Sequence, residues 1–166
     1  PGVEIKIIDP ITLEELGDGC EGELCCRGYN VMKGYYNKPE ETAKVLLPDG
    51  WLRTGDLAIR DSNGYYRITG RFKDIIIRGG ENISPKEIED LIYQIPGIKD
   101  VQVVAAPSKK YGEEIAAFII KKDGCNLTED DIKDYCLANI AKFKVPKYIA
   151  FINEYPQTAS GKIQKF

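Results

Sequence analysis

Histidine is absent from this chain of 166 residues, and methionine and tryptophan occur only once each. Without histidine, these residues hold no Ser-His or Cys-His nucleophile and no histidine-rich metal site. No apolar run approaches the ~20 residues that a membrane-spanning helix needs, so we expect no membrane span. Hydrophobic residues still make up 43% of the chain, which is enough for the core of one ordinary domain or of two small ones.

An excess of positive charge is lacking as well. The formal net charge is −3 at pH 7 and the pI is about 5.2, which argues against a nucleic-acid partner. The first residues, PGVE at positions 1–4, resemble neither a signal peptide nor a translation start. We therefore expect the chain to be part of a longer protein.

The five cysteines do not form a recognisable disulfide or metal pattern. Their number is odd, none has CxxC spacing, Cys25 and Cys26 are adjacent in a strand-like run, and Cys136 lies on an apolar helical stripe. This pattern favours small structural residues in a reducing compartment, and we predict a cytoplasmic protein.

The first part of the chain has the pattern of a small β structure. Residues 3–7 alternate between apolar and polar, residues 23–27 form a short run between glycines, and DSNG at 61–64 predicts a tight hairpin between residues 57–60 and 65–69. Proline begins one or two helical turns at residues 39–44. We predict a small barrel or meander over residues 1 to about 70.

After Arg71 the pattern changes to mixed helix and strand. SPKE at residues 84–87 predicts a capping box with proline at the first helical position, and PG at 96–97 ends that helix. A second helix is predicted to begin at Thr128, with Asp131 in the capping position. The apolar stripes of the two helices are Ile88, Leu91, Ile92 and Ile95, and Ile132, Tyr135, Cys136 and Ile140. Strands are predicted at residues 101–106, 115–121 and 148–152.

These elements predict an α+β protein in two parts. Residues 1–72 form a β-rich subdomain, and residues 73–166 form a compact α+β domain with helices packed on a sheet. The joint is expected at the change of composition, near FKD at residues 72–74.

Three local patterns carry side chains that are suited to a nucleotide. Asp56 follows Thr-Gly, so we expect it at a glycine-shaped turn just before a strand, where its carboxylate can accept bonds from two vicinal hydroxyls or simply cap the turn. Gly79 and Gly80 allow a slim ligand to approach the backbone or merely form a turn before a helix. Lys162, in a Thr/Ser/Gly loop, is a mobile point charge for a phosphate or a solvated surface lysine.

Four segments in order resemble the C-terminal motifs of the adenylate-forming enzymes, which include acyl- and aryl-CoA synthetases, luciferases and peptide-synthetase adenylation domains. They are RTGDL at 53–57, GRFKD at 70–74, GGENI at 79–83 and PQTASGK at 156–162. The resemblance implies that residues 1–72 are the β-rich tail of the large N-terminal AMP-binding domain and that residues 73–166 are the mobile C-terminal domain. The phosphate loop, the adenine and acyl pocket and the Mg²⁺-binding glutamate would then precede Pro1.

The resemblance also implies residue roles. Asp56 and Arg71 would bind the ribose and phosphate side of ATP and AMP, although Arg71 alone could be a surface salt-bridge residue. Lys73 would be the hinge, and Lys162 would be catalytic, bridging the attacking carboxylate and the α-phosphate. Lys162 is also a candidate for regulatory acetylation. The remaining assignments are a pantetheine tunnel at Gly79, Gly80 and Glu81, and a CoA nucleotide contact at Phe143, Lys144 and Lys147, for which a solvated basic loop is the alternative.

The function that this resemblance implies is that of an ATP-dependent acyl-CoA synthetase, which makes acyl-AMP and then acyl-CoA from a fatty or other organic acid. ATP, Mg²⁺ and CoA are the expected cofactors, and the chain alone, without the N-terminal domain, is expected to be inactive. GYYNKPE at 34–40 and KYGEE at 110–114 resemble carboxylate-CoA ligases more than amino-acid-activating domains. Two alternatives stay open: an adenylation domain that loads a phosphopantetheine carrier protein, and a non-catalytic interaction module on the same fold.

Overall fold

Two separate hydrophobic cores organise the chain in the computed structural model, which describes residues 2–165. The chain divides into two compact units, Pro1–Lys73 and Asp74–Phe166. The division falls within a short 3-10 helix, Phe72–Asp74, next to the joint expected from the sequence.

The first unit is built on a four-stranded antiparallel meander. Its strands, in order across the sheet, are β1 (Val3–Ile8), β2 (Glu21–Gly28), β3 (Leu52–Arg60) and β4 (Tyr66–Arg71). Helix α1 (Pro39–Val45) lies between β2 and β3 along the chain and has proline in its first turn. The predicted meander and the proline-started helical turns are confirmed.

The β3–β4 hairpin forms where DSNG predicts it. The carboxylate of Asp61 accepts the backbone N–H groups of Asn63 and Tyr65, each at 2.9 Å, and Gly64 has a positive φ of 83°. The core of this unit contains Ile8, Cys25 and Trp51, with Leu47 packed against them.

The second unit contains a five-stranded sheet covered by two helices. The strands run in the order β6 (Glu81–Ile83), β5 (Ile76–Arg78), β8 (Gly112–Lys121), β7 (Ile98–Ser108), and β9 (Tyr148–Phe151) pairs with β8 in parallel. The helices are α2 (Pro85–Tyr93) and α3 (Glu129–Asn139). A second 3-10 helix spans Lys142–Lys144. The predicted α+β fold class is confirmed: a β-rich unit is followed by a unit in which helices pack on a sheet.

Both predicted helical stripes face the core of the second unit. Ile88 and Ile92 from α2 and Ile132 and Cys136 from α3 are fully buried, together with Ile119 from β8. Fully burying one such side chain stabilises a fold by about 1.5–3 kcal/mol, so the apolar stripes, rather than helix propensity, hold α2 and α3 in place.

The two helix starts differ from each other. At α3, Thr128 and Asp131 form both bonds of a capping box, as predicted. At α2, Ser84 is the N-cap residue and proline follows it, but the described part of the chain contains no side-chain cap hydrogen bond there. The capping-box prediction for residues 84–87 is therefore wrong. The carboxylate of Glu87 accepts hydrogen bonds from the ε-ammonium of Lys144 at 2.8 and 2.7 Å.

All five cysteines are free thiols. Cys25 and Cys136 are buried and Cys20 is exposed. Burial raises the pKa of both buried thiols to about 11, so they are protonated and unreactive at neutral pH. Among residues 2–165, the structure contains no helix of the length and apolar character that crossing a bilayer requires.

Candidate active site

Asp56 and Arg71, the residues expected to contact the nucleotide sugar, lie opposite each other on β3 and β4. Arg71 Nε donates to Asp56 Oδ1 at 3.1 Å. The Asp56 side chain remains 36% exposed and the Arg71 side chain 59% exposed. The structure thus brings together a carboxylate and a guanidinium on one open strand pair, and a ligand with hydroxyl and phosphate groups could contact both.

Asp56 does not lie before a strand, as the sequence predicts, but inside β3. The pairs Cys25–Arg53 and Glu23–Leu57 enclose a bulge in which β3 has more residues than β2. Gly55 occupies that bulge with a φ of 77°, and the Asp56 N–H is accepted by Thr54 Oγ1 at 3.1 Å. The strand continues on both sides because the meander supplies partners for both ends of the bulge.

A buried ion pair supports this bulge. Glu23, only 3% exposed, accepts both Nε and Nη2 of Arg53 on Oε2, at 2.8 and 2.6 Å. Its other oxygen, Oε1, accepts the N–H of Gly55 at 3.0 Å. We call this group of three residues the first brace.

Gly79 and Gly80 form the two-residue turn between β5 and β6. Both have positive φ, 61° and 92°, which is typical of the hairpin turn that glycine pairs favour. A Cβ added at Gly80 would meet no heavy atom within 4 Å, whereas one at Gly79 would lie 3.2 Å from the Tyr111 ring. Gly80 is therefore required by its backbone conformation and faces open space.

The loop between β7 and β8 holds this glycine turn. The Gly79 N–H donates to the Tyr111 carbonyl at 2.9 Å. Arg78 forms a two-pronged ion pair with the buried carboxylate of Glu114, at 2.8 and 3.1 Å, and its guanidinium stacks 4.4 Å above the Tyr111 ring. The Ile77 N–H donates to Glu113 at 2.7 Å. We call Arg78, Tyr111, Glu113 and Glu114 the second brace.

The electrostatics of the second brace favour its ionised form. The hydrogen bond from Arg78 lowers the pKa of Glu114, and the same bond raises the pKa of Arg78. The hydrogen bond to Lys110 lowers the pKa of Tyr111. Glu114 is therefore a carboxylate at neutral pH although its side chain is only 1% exposed.

The candidate CoA nucleotide segment is partly engaged within its own unit. The Lys144 ammonium is bound to Glu87. Phe143 is 37% exposed, and Lys147 lies 5.1 Å above the Tyr148 ring. Phe143 and Lys147 are thus exposed to solvent, whereas contact between Lys144 and a phosphate would first require breaking its ion pair.

Lys162 lies in a tight loop that closes on itself. The backbone of Thr158 and Lys162 is joined by a 2.8 Å hydrogen bond, Gly161 donates to Thr158 at 2.9 Å, and Lys162 N–H also donates to Thr158 Oγ1 at 3.1 Å. Gln157 and Ile163 form an isolated bridge. Lys162 is exposed, and no ion pair within residues 2–165 involves its ammonium.

The end of the Lys162 loop is attached to the body of the second unit. The Lys165 ammonium binds Glu89 Oε1 at 2.8 Å. The same oxygen accepts the N–H of Val103 at 2.8 Å, so Glu89 joins α2, β7 and the loop. Lys73, the expected hinge residue, is exposed at the end of the first unit.

Sequence reasoning missed both braces. Alternation along the strand could have identified Glu23, because it lies two residues before the apolar Cys25 and therefore on the same strand face. A carboxylate that is buried beside such a residue needs a cationic partner. Glu114 lies in the KYGEE segment, but nothing near it in the sequence indicates its partner Arg78, which lies 36 residues earlier. Within residues 2–165, no group of three or more cysteine, aspartate or glutamate side chains could hold a metal ion.

Two families match this chain. Residues 87–162 match the family described as AMP-binding enzyme C-terminal domain, and residues 1–36 match the family described as AMP-binding enzyme. The chain belongs to the AMP-binding enzymes. The Gly55 bulge and the Gly79–Gly80 turn both lie between the two matched ranges, and the C-terminal match ends at Lys162.

This chain is similar to parts of longer proteins. YngI of Bacillus subtilis is 55% identical over all of this chain, which spans 30% of YngI. The mitochondrial medium-chain acyl-CoA ligase ACSF2 of Rattus norvegicus is 48% identical over the whole chain, which spans 27% of ACSF2. The crystal structure of ATP-bound MatB from Rhodopseudomonas palustris is 38% identical with a TM-score of 0.93, covering 99% of this chain and 33% of MatB.

Proposed function

We propose that this chain is the C-terminal portion of an acyl-CoA synthetase. The complete protein would activate a fatty or other organic carboxylate with ATP, releasing pyrophosphate, and then transfer the acyl group from AMP to CoA. The observation that carries the proposal is the Asp56–Arg71 pair, an open carboxylate and guanidinium joined at 3.1 Å on neighbouring strands. The acyl-CoA ligase ACSF2 and the ATP-bound MatB, to which the chain is similar, support it.

In the first half-reaction a carboxylate oxygen of the acid attacks the α-phosphorus of ATP, and pyrophosphate leaves. Asp56 would accept hydrogen bonds from the ribose hydroxyls, and Arg71 would hold the Asp56 carboxylate and face the phosphate side. The Lys162 ammonium would bridge the attacking carboxylate and the α-phosphate. A charge placed where charge grows in the transition state typically contributes ~3–4 kcal/mol.

In the second half-reaction the CoA thiol loses its proton and its sulfur attacks the acyl carbonyl carbon. The bond between that carbon and the phosphate oxygen breaks, and AMP leaves with the bonding electron pair. The Gly79–Gly80 turn and Glu81 would line the pantetheine path, because a Cβ at Gly80 would project into open space. Phe143 and Lys147 are the exposed candidates for the CoA nucleotide, and Lys144 could join them by exchanging Glu87 for a phosphate. Lys73 would serve as the hinge between residues 1–72 and 73–166.

Cofactors follow the same assignment. ATP would contact Asp56, Arg71 and Lys162, and CoA would contact the glycine turn. We place the Mg²⁺ ligand in a part of the longer protein that precedes this chain, and Mg²⁺ would neutralise charge on the ATP phosphates. The alternatives are a phosphopantetheine carrier protein as the acyl acceptor and a non-catalytic interaction module. The joint presence of Asp56, Arg71 and Lys162 argues against the latter. A reducing, cytoplasmic location stays a prediction.

The test uses the full-length protein with ATP, Mg²⁺ and a panel of carboxylates. We expect acid-dependent release of pyrophosphate, followed by CoA-dependent release of AMP, and a raised KM for ATP in Asp56→Ala. The 166-residue chain alone should release no pyrophosphate. Absence of acid-dependent pyrophosphate release by the full-length protein, or an unchanged KM for ATP in Asp56→Ala, would contradict the proposal. Acyl transfer to a carrier protein but not to CoA would support the alternative acceptor.

A further inference from the structure

Glu23 uses each of its two oxygens for a different purpose. Oε2 receives both Arg53 donors, and Oε1 receives the backbone N–H of Gly55. Arg53 is held in turn by the Pro10 carbonyl, which accepts Nη2 at 3.0 Å. The carboxylate is therefore fixed on one side by a cation and on the other side holds the backbone of the bulge.

The bulge places Asp56 directly after Gly55. Gly55 has a φ of 77°, and a Cβ added there would meet no heavy atom within 4 Å, so the position requires a backbone conformation rather than space. Thr54 Oγ1 donates to the Leu24 carbonyl at 2.7 Å and accepts the Asp56 N–H. The N–H groups of Gly55 and Asp56 are thus both held by β2, the first by Glu23 directly and the second through Thr54.

Stability alone is a weak reason for a buried ion pair here, because well-packed apolar residues often replace such pairs without loss. Apolar residues could not accept the partly buried Gly55 N–H, however, and a donor that is removed from water without an acceptor is costly. Both oxygens of Glu23 accept hydrogen bonds, one from Gly55 and one from Arg53, and only a carboxylate has two acceptor oxygens.

We propose that Glu23 and Arg53 are positioning residues that fix Asp56 for the ribose hydroxyls through the Gly55 N–H. The inference rests on the proposed function, in which Asp56 binds the sugar of ATP. Glu23 and Arg53 touch no substrate. Their loss would let the bulge relax, so that Asp56 would no longer meet the two hydroxyls, while the acid and CoA would be bound as before.

The experiment measures how well the full-length protein distinguishes ATP from 2′-deoxy-ATP and 3′-deoxy-ATP, as the ratio of kcat/KM values for acid-dependent pyrophosphate release. Asp56→Ala should abolish most of this discrimination. Glu23→Gln keeps the shape but removes the charge, and we expect it to reduce the discrimination ~10-fold or more, as for lost hydrogen bonds to charged groups. The KM for ATP should rise, and the KM for the acid should not change.

Glu114→Gln is the matched control, because it makes the same substitution in a buried Arg–Glu pair of the second unit. Its discrimination ratio should equal that of the unaltered protein. If Glu23→Gln fails to fold, Arg53→Lys tests the same role. It retains a cation but loses the paired hydrogen bonds to Glu23 and the contact with the Pro10 carbonyl. Arg53→Lys should shift the ratio in the same direction by a smaller factor.

The possible results distinguish the positioning role of Glu23 and Arg53 from the proposed ribose role of Asp56. If Asp56→Ala loses discrimination but folded Glu23→Gln and Arg53→Lys keep it, the positioning role is wrong and the proposed function stands. If Asp56→Ala itself keeps the discrimination of the unaltered protein, both the ribose role and the positioning role are wrong. A fall in every kinetic constant of Glu23→Gln without a change in the ratio would indicate a folding role only.

Discussion

Both units use a glutamate–arginine pair beside a glycine with positive φ, but the two pairs are bonded differently. Each has a buried carboxylate bound to an arginine beside a glycine with positive φ, Glu23 with Arg53 near Gly55 and Glu114 with Arg78 near Gly79. In the first brace Nε and Nη2 of Arg53 both donate to Oε2 of Glu23, which leaves Oε1 to accept the backbone N–H of Gly55. In the second brace the fork uses both oxygens of Glu114.

Because of this difference, the backbone conformation of the Gly55 bulge depends more on a single side chain than that of the Gly79–Gly80 turn. The Gly55 bulge is held directly by Glu23. The Gly79–Gly80 turn is held by the Tyr111 carbonyl and, at Ile77, by Glu113, while Glu114 acts only through Arg78. Support of the second turn is therefore distributed over several residues, and we expect the loss of Glu114 to affect stability more than the geometry of the turn.

The largest effect is expected outside both braces, at Lys162, whose loop has no buried ion pair among the described residues. In the full-length protein, Lys162→Ala should lower kcat and kcat/KM of acyl-AMP formation ~10²–10³-fold, because the lost charge acts mainly in that transition state. The transfer of the acyl group from synthetic acyl-AMP to CoA should persist. Single-turnover assays of each half-reaction measure this.

The control for Lys162 is Lys99→Ala, which removes an exposed lysine from β7 and should leave both half-reactions unchanged. A collapse of both half-reactions in folded Lys162→Ala would show that this lysine is not confined to adenylation. A near-normal overall rate from ATP would contradict its assignment as the catalytic residue.

The next effect concerns stability of the second brace. Glu114→Gln leaves the half-buried Arg78 without its counter-charge, and we expect the free energy of unfolding of the second unit to fall by about 1.5–3 kcal/mol, as for lost hydrogen bonds to charged groups. Urea unfolding of the chain, followed by circular dichroism, measures this. Glu87→Gln, which breaks the more exposed pair with Lys144, should cost less than about 1 kcal/mol. Equal losses in the two variants would mean that burial does not set the value of these pairs.

A smaller and more specific effect is expected at the glycine turn. Gly80→Leu in the full-length protein should slow thioester formation by ~10- to 10²-fold, because a misplacement of a reacting group by about 1 Å can cost up to ~10²-fold in rate. Acyl-AMP formation should be spared. The added side chain would occupy the proposed pantetheine path. Stopped single-turnover reactions with and without CoA separate the two steps.

Gly64→Leu provides the control for that substitution, because Gly64 also has a positive φ and open space around its Cβ position. It lies in the β3–β4 hairpin and should leave both half-reactions intact. If Gly80→Leu slows both half-reactions equally, Gly80 serves folding and the tunnel assignment is wrong.

The smallest effect is a dependence of stability on pH. The Arg78 hydrogen bond holds the pKa of Glu114 below its usual value of 4.5. The resulting stabilisation is fully present above pH 4.5 and is lost as the pH falls through the lower folded-state value. The urea midpoint of the second unit should therefore fall more steeply below pH 4.5 in the unaltered chain than in Glu114→Gln. Parallel curves would show that Glu114 titrates normally.

The sequence by itself determined the elements whose signals are local. The apolar stripe of Ile88, Ile92 and Ile95 fixes α2, Thr128 and Asp131 fix the start of α3, and DSNG fixes the β3–β4 hairpin. Spacing within a few residues suffices for these, because a helix or a tight turn closes its hydrogen bonds locally. The ordered motifs likewise identified the family.

The tertiary structure alone decided which charges meet. Arg53 binds Glu23, which lies 30 residues away in the chain, Arg78 binds Glu114 at a separation of 36 residues, and Lys144 binds Glu87 at a separation of 57 residues. Asp56 enters a bulge because β2 and β3 are out of register there. Strand register and long-range ion pairs depend on how the whole chain packs, so no window of sequence contains them.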